Sequence, residues 1–292
     1  MKSMCNKLLK IVILVTCMMV MPIGTSLAEA SADKLNLGIF PRRNPIMTTR
    51  MFTPFVKYLT EKLGKEVVLD TPKDFGTFWE NVKNNKYDIV HYNQYHYVRS
   101  HKEFGYKVIA KNIEFGEATI AGAVIIRKDS GIKSVMDLKG RKITFGGGPR
   151  AMQSYIVARY LLQKNGLKSG EYEESFSTNP PNAIMSTYFK QSDAAGAGDK
   201  VLKLKIVKSQ IDIGEMKYLV RGEQLAHLPW AVNKKLDDST VQELTGLFLS
   251  LSKIKEGKVM LKKMHLNGFS PAKDDEYNPH REIIDKVLKE KY

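Results

Sequence analysis

From Leu35 onward, short apolar runs rich in β-branched residues alternate with stretches of helical periodicity. Parallel α/β folds produce that pattern; helix bundles and all-β sandwiches do not. Leu35–Phe40 reads as a strand closed by Pro41. In the helix that follows, Thr53 is the expected cap, Pro54 the first position, Phe55, Val56, Leu59 and Leu63 the apolar face, and Gly64 the stop. Glu66–Leu69, Asp88–His91 and Lys107–Ala110 are further strands, with a short helix at Phe75–Asn84. Ala118–Arg127 is expected to cross between two lobes. Ser134–Leu138 is a short helix, Arg141–Phe145 a strand, Ala151–Asn165 and Asn182–Phe189 helices, and Asp193–Gly198 a strand or turn. Met216–Val220 and Trp230–Asn233 read as strands leading back to the first lobe. Ser239 and Gln242 form a capping pair, and Arg281–Leu288 is a last amphipathic helix. Parallel sheets bind ligands at the carboxyl ends of their strands. Two such sheets joined by extended crossovers therefore predict a hinged cleft, with residues 29–122 and 222–292 in one lobe and 123–221 in the other.

The N-terminus sets the expected compartment. Lys2, Lys7 and Lys10 precede an apolar run from Ile11 to Ile23, and Ser26-Leu27-Ala28 offers small residues for cleavage. Residues 1–28 are read as a signal peptide, since the run is short for a membrane span and ends in Pro22, Gly24 and Ser26. Leu14-Val15-Thr16-Cys17 is a poor lipidation box, because Thr precedes the Cys and the apolar run continues past it. The mature chain is thus expected to be periplasmic or otherwise extracytoplasmic. Cys5 and Cys17 both fall in the leader, which excludes disulfides, thiolate nucleophiles and Cys-based metal sites from the remainder. The formal charge of +15 drops to +12 when the three leader lysines go, and the excess is spread along the chain. Without a basic stripe interleaved with aromatics, nucleic acid is not an expected partner. A diffuse positive field favours anionic solutes, weakly.

Two segments carry the expected chemistry. Gly146-Gly147-Gly148-Pro149-Arg150 joins a strand to a helix, where small residues let backbone N–H groups approach an anion and the helix start adds partial positive charge. Arg150 there opposes the helix dipole, so it calls for a neighbouring anion; the other reading is a solvated surface arginine. Tyr87–Val98 (YDIVHYNQYHYV) ends a strand in Tyr92, Asn93 and Tyr95, which either face a ligand or serve as core tyrosines and a helix cap. His91 and His96 flank them as structural residues. No metal-ligand spacing follows, and neither a metal nor any cofactor is expected. Phe75 and Trp79 share a helical face and read as core. Trp230 lines a cleft or packs a hinge. Arg42 and Arg43 end the first strand, placed for a second anion contact or for solvent.

Taken together, Asp74–Trp79 (DFGTFW), YDIVHYNQYHYV, Gly131–Phe145 (GIKSVMDLKGRKITF) and Gly268–Tyr277 (GFSPAKDDEY) resemble the periplasmic substrate-binding proteins of phosphate/phosphite/phosphonate ABC transporters, over nearly the whole mature sequence. The resemblance implies an α/β, two-lobed periplasmic binding protein of type II-like form. Such a protein clasps a small anionic solute in an interlobe cleft, works as a monomer and hands the solute to a permease. It implies aromatic and polar ligand contacts from the first lobe, Phe75 matching a ligand-facing position, and an oxyanion at the helix-start loop of the second. With Arg42 at the end of the first strand, the expected contacts are Arg42, Phe75, Tyr92, Asn93 and Tyr95, and Gly147, Gly148, Arg150, Gln153, Ser154 and Asn182. In the family the helix-start loop is typically rich in Ser and Thr; here only Ser154 offers a hydroxyl, and Arg150 and Gln153 take the other places. Where the family often carries a ligand-binding His, this chain has Asn179-Pro180-Pro181-Asn182. Arginine pairs bidentately with carboxylate and phosphate alike. A second role on the same fold is presentation of a ligand to a membrane sensor kinase or chemoreceptor. An enzyme needs a nucleophile–base pair, paired carboxylates or metal ligands; the mature chain has no Cys, no GxSxG and no HExxH, and Asp193 and Asp199 need not converge.

Overall fold

The computed structural model describes residues 34–292; the expected signal peptide, with both cysteines, lies outside the described residues. The chain runs through β1 (Leu35–Ile39), α1 (Pro45–Leu63), β2 (Val67–Asp70), α2 (Phe75–Lys83), β3 (Ile89–His91), α3 (Gln94–Phe104) and β4 (Lys107–Ile113). It then crosses on β5 (Thr119–Ile120) into β6 (Gly122–Arg127), β7 (Lys142–Gly146), α4 (Ala158–Lys164), β8 (Glu173–Ser177), α5 (Pro180–Tyr188), β9 (Ala194–Gly198), α6 (Lys205–Lys208) and β10 (Met216–Arg221). The return passes through β11 (Leu225–Ala226) to β12 (Pro229–Val232), α7 (Asp238–Ser250), α8 (Lys255–Met264), β13 (Gly268–Pro271) and α9 (Asn278–Leu288).

These strands form two sheets, ordered β13-β4-β12-β3-β1-β2 and β10-β6-β9-β7-β8. The crossovers β5 and β11 pair antiparallel as a separate two-stranded ribbon. Neither sheet is wholly parallel. β1 lies parallel to β2 and β3, and β7 parallel to β8 and β9. β12, β4 and β13 run antiparallel in the first sheet, as do β6 and β10 in the second. β10 does not return to the first lobe as its sequence suggested; it hydrogen-bonds to β6 at the edge of the second sheet. An apolar strand announces itself in sequence, but its sheet is set by which partner lies open.

Two helix starts also differ from expectation. α1 begins at Pro45, capped by Asn44, whose side chain accepts from the N–H groups of Ile46 and Met47 at 2.9 and 3.4 Å. Pro54 sits inside the helix. The carbonyl it leaves without an N–H donor belongs to Arg50, which is exposed and open to water. α7 is capped by Asp237, not Ser239; its carboxylate accepts from the Thr240 N–H at 2.8 Å.

Alternation along the strands sorts side chains to opposite faces. Leu35, Leu37 and Ile39 join α1, α7 and α8 in one cluster, while Ala123, Ile125, Ala195 and Ala197 pack against α5 and Val207 in another. The inner faces share a third. It runs from Phe40, Val90 and Tyr92 to Val124, Phe145 and Ile156, and includes Ile283, Ile284 and Val287 of α9. That last helix packs against α3 on one side and against Met152–Val157 and α4 on the other.

Candidate functional site

The glycine loop is forced by crowding at its start. A Cβ on Gly146 would lie 2.3 Å from Pro180 Cα, and Gly147 and Gly148 hold φ of +92° and +84°. Gly147 donates to Ser177 O at 2.9 Å, tying the loop to the end of β8. Beyond Arg150 the chain enters a wide π-turn at Met152–Val157 before α4, with Tyr155 and Ile156 both donating to Ala151 O. The N–H groups at such a start lack acceptors within the helix.

Three of the expected residues meet here. The guanidinium of Arg150 lies 5.2 Å from the centre of the Tyr95 ring. Asn93 donates its side-chain amide to Arg150 O at 3.1 Å and caps α3 by accepting from the His96 N–H at 2.9 Å. The helix-cap reading of Asn93 holds, and the same side chain also reaches the glycine loop through Arg150 O. Phe75 joins through His96, whose ring it stacks upon at 5.1 Å, while His96 Nδ1 donates to Asn93 Oδ1 at 2.9 Å. Burial, with Arg99 and Arg150 nearby, lowers His96 to about 3, so it is neutral.

Arg150 already has an anion. Its Nη1 lies 3.0 Å from Glu290 Oε1, and the other carboxylate oxygen accepts from the hydroxyls of Tyr95 at 2.7 Å and Tyr292 at 2.8 Å. Nothing in the local sequence announces this partner, which comes from the far end of the chain.

The other expected residues have different surroundings. Tyr92 is fully buried, edge-on to Phe78 and Tyr106, with no hydrogen-bond partner for its hydroxyl. Gln153 and Ser154 are buried inside the π-turn; Gln153 Nε2 lies 3.4 Å from His280 Nε2. Asn182 donates its N–H to the capping Asn179 in the first turn of α5. Trp230 is buried flat against His91, with ring centres 4.3 Å apart, and donates to Asn112 at 2.8 Å.

Arg42 forms a two-pronged ion pair with buried Glu114, its Nη2 3.1 Å from Oε2. His227 Nε2 stands 3.7 Å from the same carboxylate. Burial alone would raise Glu114, but Arg42 and His227 outweigh it and hold the carboxyl at about 2. Near the paired crossovers, buried Lys200 bridges Glu117 and Asp199, and Asp199 accepts from the Ala121 N–H and from Gln224. These ions come from segments remote in sequence and were not anticipated beyond Arg42. A polar depression at the opposite end of the second sheet, lined in part by Arg127, Lys142 and Lys190, has its cations committed: Arg127 and Lys190 to Asp129, Lys142 to Glu173.

The family model for the periplasmic substrate-binding protein of phosphonate ABC transporters matches residues 37–277. The chain belongs to that family. It is 23% identical over 261 residues to the phosphonates-binding periplasmic protein of Escherichia coli K12, covering 88% of this chain and 77% of that one. The binding-protein component of a phosphonate ABC transporter from Pseudomonas aeruginosa superposes with a TM-score of 0.75 at 19% identity, covering 88% of this chain and 87% of its own. PhnD1 of Prochlorococcus marinus, solved with methylphosphonate, gives 0.77 at 18% identity, covering 88% and 99%. The fold is that of the two-lobed periplasmic binding proteins, and the family's function is substrate binding for ABC import. Family members act outside the cytoplasm; no described helix is long and apolar enough to cross a membrane.

Proposed function

We propose that this member captures a small oxyanion of the phosphonate, phosphite or phosphate class between its lobes, without chemical turnover, and delivers it as a monomer to an ABC permease. The lobes on this reading are residues 29–122 with 222–292, and residues 123–221, released after removal of residues 1–28. The strand membership of the two sheets supports that division. One observation carries the ligand reading: Arg150 stands at a helix start in the second lobe, held by Asn93 and Tyr95 from the first. An anion at that point touches both lobes, and a ligand favours the closed form by its contacts to both.

A thermal-shift series on residues 29–292 tests it, with methylphosphonate, phosphite, phosphate, sulfate and small carboxylates. A ligand of the native state raises Tm. The expected result is a rise with one or more phosphorus oxyanions that disappears in Arg150→Ala. A rise only with carboxylates moves the ligand class, and no rise with any of them overturns the proposal.

A further inference from the structure

Arg150 is one residue short of a helix-start turn, where aligned peptide dipoles disfavour a cation unless an anion lies close. The chain supplies one from its own tail. Lys289 ends α9 in a left-handed cap at φ +60°, its N–H donating to Asp285 O at 3.0 Å, and the residues that follow it include Glu290 and Tyr292. The Glu290 carboxylate receives Arg150 from the second lobe, Tyr95 from the first and Tyr292 from the tail itself. A guanidinium and two hydroxyls converging on two oxygens form the donor set an anionic solute needs.

We propose that Glu290 is a built-in carboxylate ligand of the Arg150 site, occupying the place of the solute's anionic group until a solute displaces it. This rests on Arg150 being the anion anchor of the proposed function. The geometry suits exchange. The Glu290 side chain is a quarter exposed and that of Arg150 is 44% exposed, so the pair lies at a rim that solvent anions reach. A pair so open contributes only about 1 kcal/mol. Tail and lobes form one contact in which Glu290 bridges the seam; displacing it frees Arg150 and the Tyr95 hydroxyl together. Because the latched form cannot take an anion at Arg150, the apparent affinity is reduced by the fraction of molecules latched.

Isothermal titration of the mature protein with methylphosphonate and with inorganic phosphate tests this, comparing the native chain, Glu290→Gln and a chain ending at Lys289. The expected outcome has opposite signs: both variants unfold at a lower temperature without anion, yet bind one or both probes about fivefold more tightly. A Glu290 that only props the fold lowers stability and affinity together, and that result overturns the proposal. Equal affinity in native and altered chains overturns it while leaving the proposed function standing. Failure of all three proteins to bind either probe overturns this inference, and failure with phosphite as well overturns the proposed function with it.

Discussion

Asn93 links the turn after β3 to the glycine loop after β7 with one side chain: its amide nitrogen donates to Arg150 O at 3.1 Å while its oxygen caps α3 through the His96 N–H at 2.9 Å. The two tasks are chemically separable. Asn93→Asp keeps the capping oxygen and turns the donor into an acceptor facing a carbonyl, whereas Asn93→Ala removes both. The alanine variant is expected to lose about 1 kcal/mol or more of unfolding free energy and the aspartate variant less. Small-angle scattering should show both more open than the native protein. Equal stability losses in urea titrations would mean that the bond across the seam, not the cap, dominates.

Gly146 offers a sharper structural test. An added Cβ meets Pro180 Cα at 2.3 Å and Pro180 N at 2.5 Å, and backbone cannot swing aside as a side-chain tip can. Gly146→Ala is expected to cost about 3 kcal/mol, read from the denaturation midpoint. Gly246, inside α7 with nothing near its Cβ position, is the control: Gly246→Ala should stabilise by about 0.5–1 kcal/mol.

The Arg42–Glu114 pair should be far more sensitive to losing one partner than both. Glu114→Leu strands a guanidinium in a site built for a pair, for a loss of about 3–5 kcal/mol, while Glu114→Leu with Arg42→Met is expected to recover most of it. A double-mutant cycle in chemical unfolding measures the coupling. If the double variant is no better than the single, charge burial is not what destabilises the single.

Acid should weaken the fold well above the usual carboxylate range. Burial lowers His91, His96 and His280 to about 3 and His227 to about 4, from an ordinary value of 6.5. The unfolded chain therefore takes up protons that the native state refuses, and stability falls as pH drops below 6.5 toward 4. Each such group contributes a slope of up to about 1.4 kcal/mol per pH unit. Glu114, held at about 2, adds to the loss in the same direction as pH falls from 4.5 to 2. Urea midpoints measured between pH 8 and 4 should stay level above 7 and decline below 6.5, with a shallower decline in His280→Gln. A flat profile would show these imidazoles to be protonated in the native protein.

Local chemistry was legible in the sequence where neighbours along the chain create it. The glycine loop, the Asn93 cap and the placing of Arg150 at a helix start all follow from adjacent residues. Pro54 misled because a proline starts helices more often than it interrupts them; Asn44-Pro45, a cap followed by a proline, was the better start signal. Tyr92 shows another limit: a strand as short as Ile89–His91 does not say which of the residues after it turns inward. Glu290, Glu114 and His227 reach their partners only through the fold, and no spacing along the chain foretells them.

The inner faces of both sheets contribute to one apolar cluster, continuous from Val90 to Phe145. Parting the lobes must wet some of that surface, so opening carries a positive heat-capacity change and closure a negative one. Apolar cohesion fades on cooling. On the proposed hinge motion, the balance between open and shut forms becomes a thermometer as well as a ligand gauge: cooling is expected to favour the open form, so affinities measured cold and warm would start from different populations.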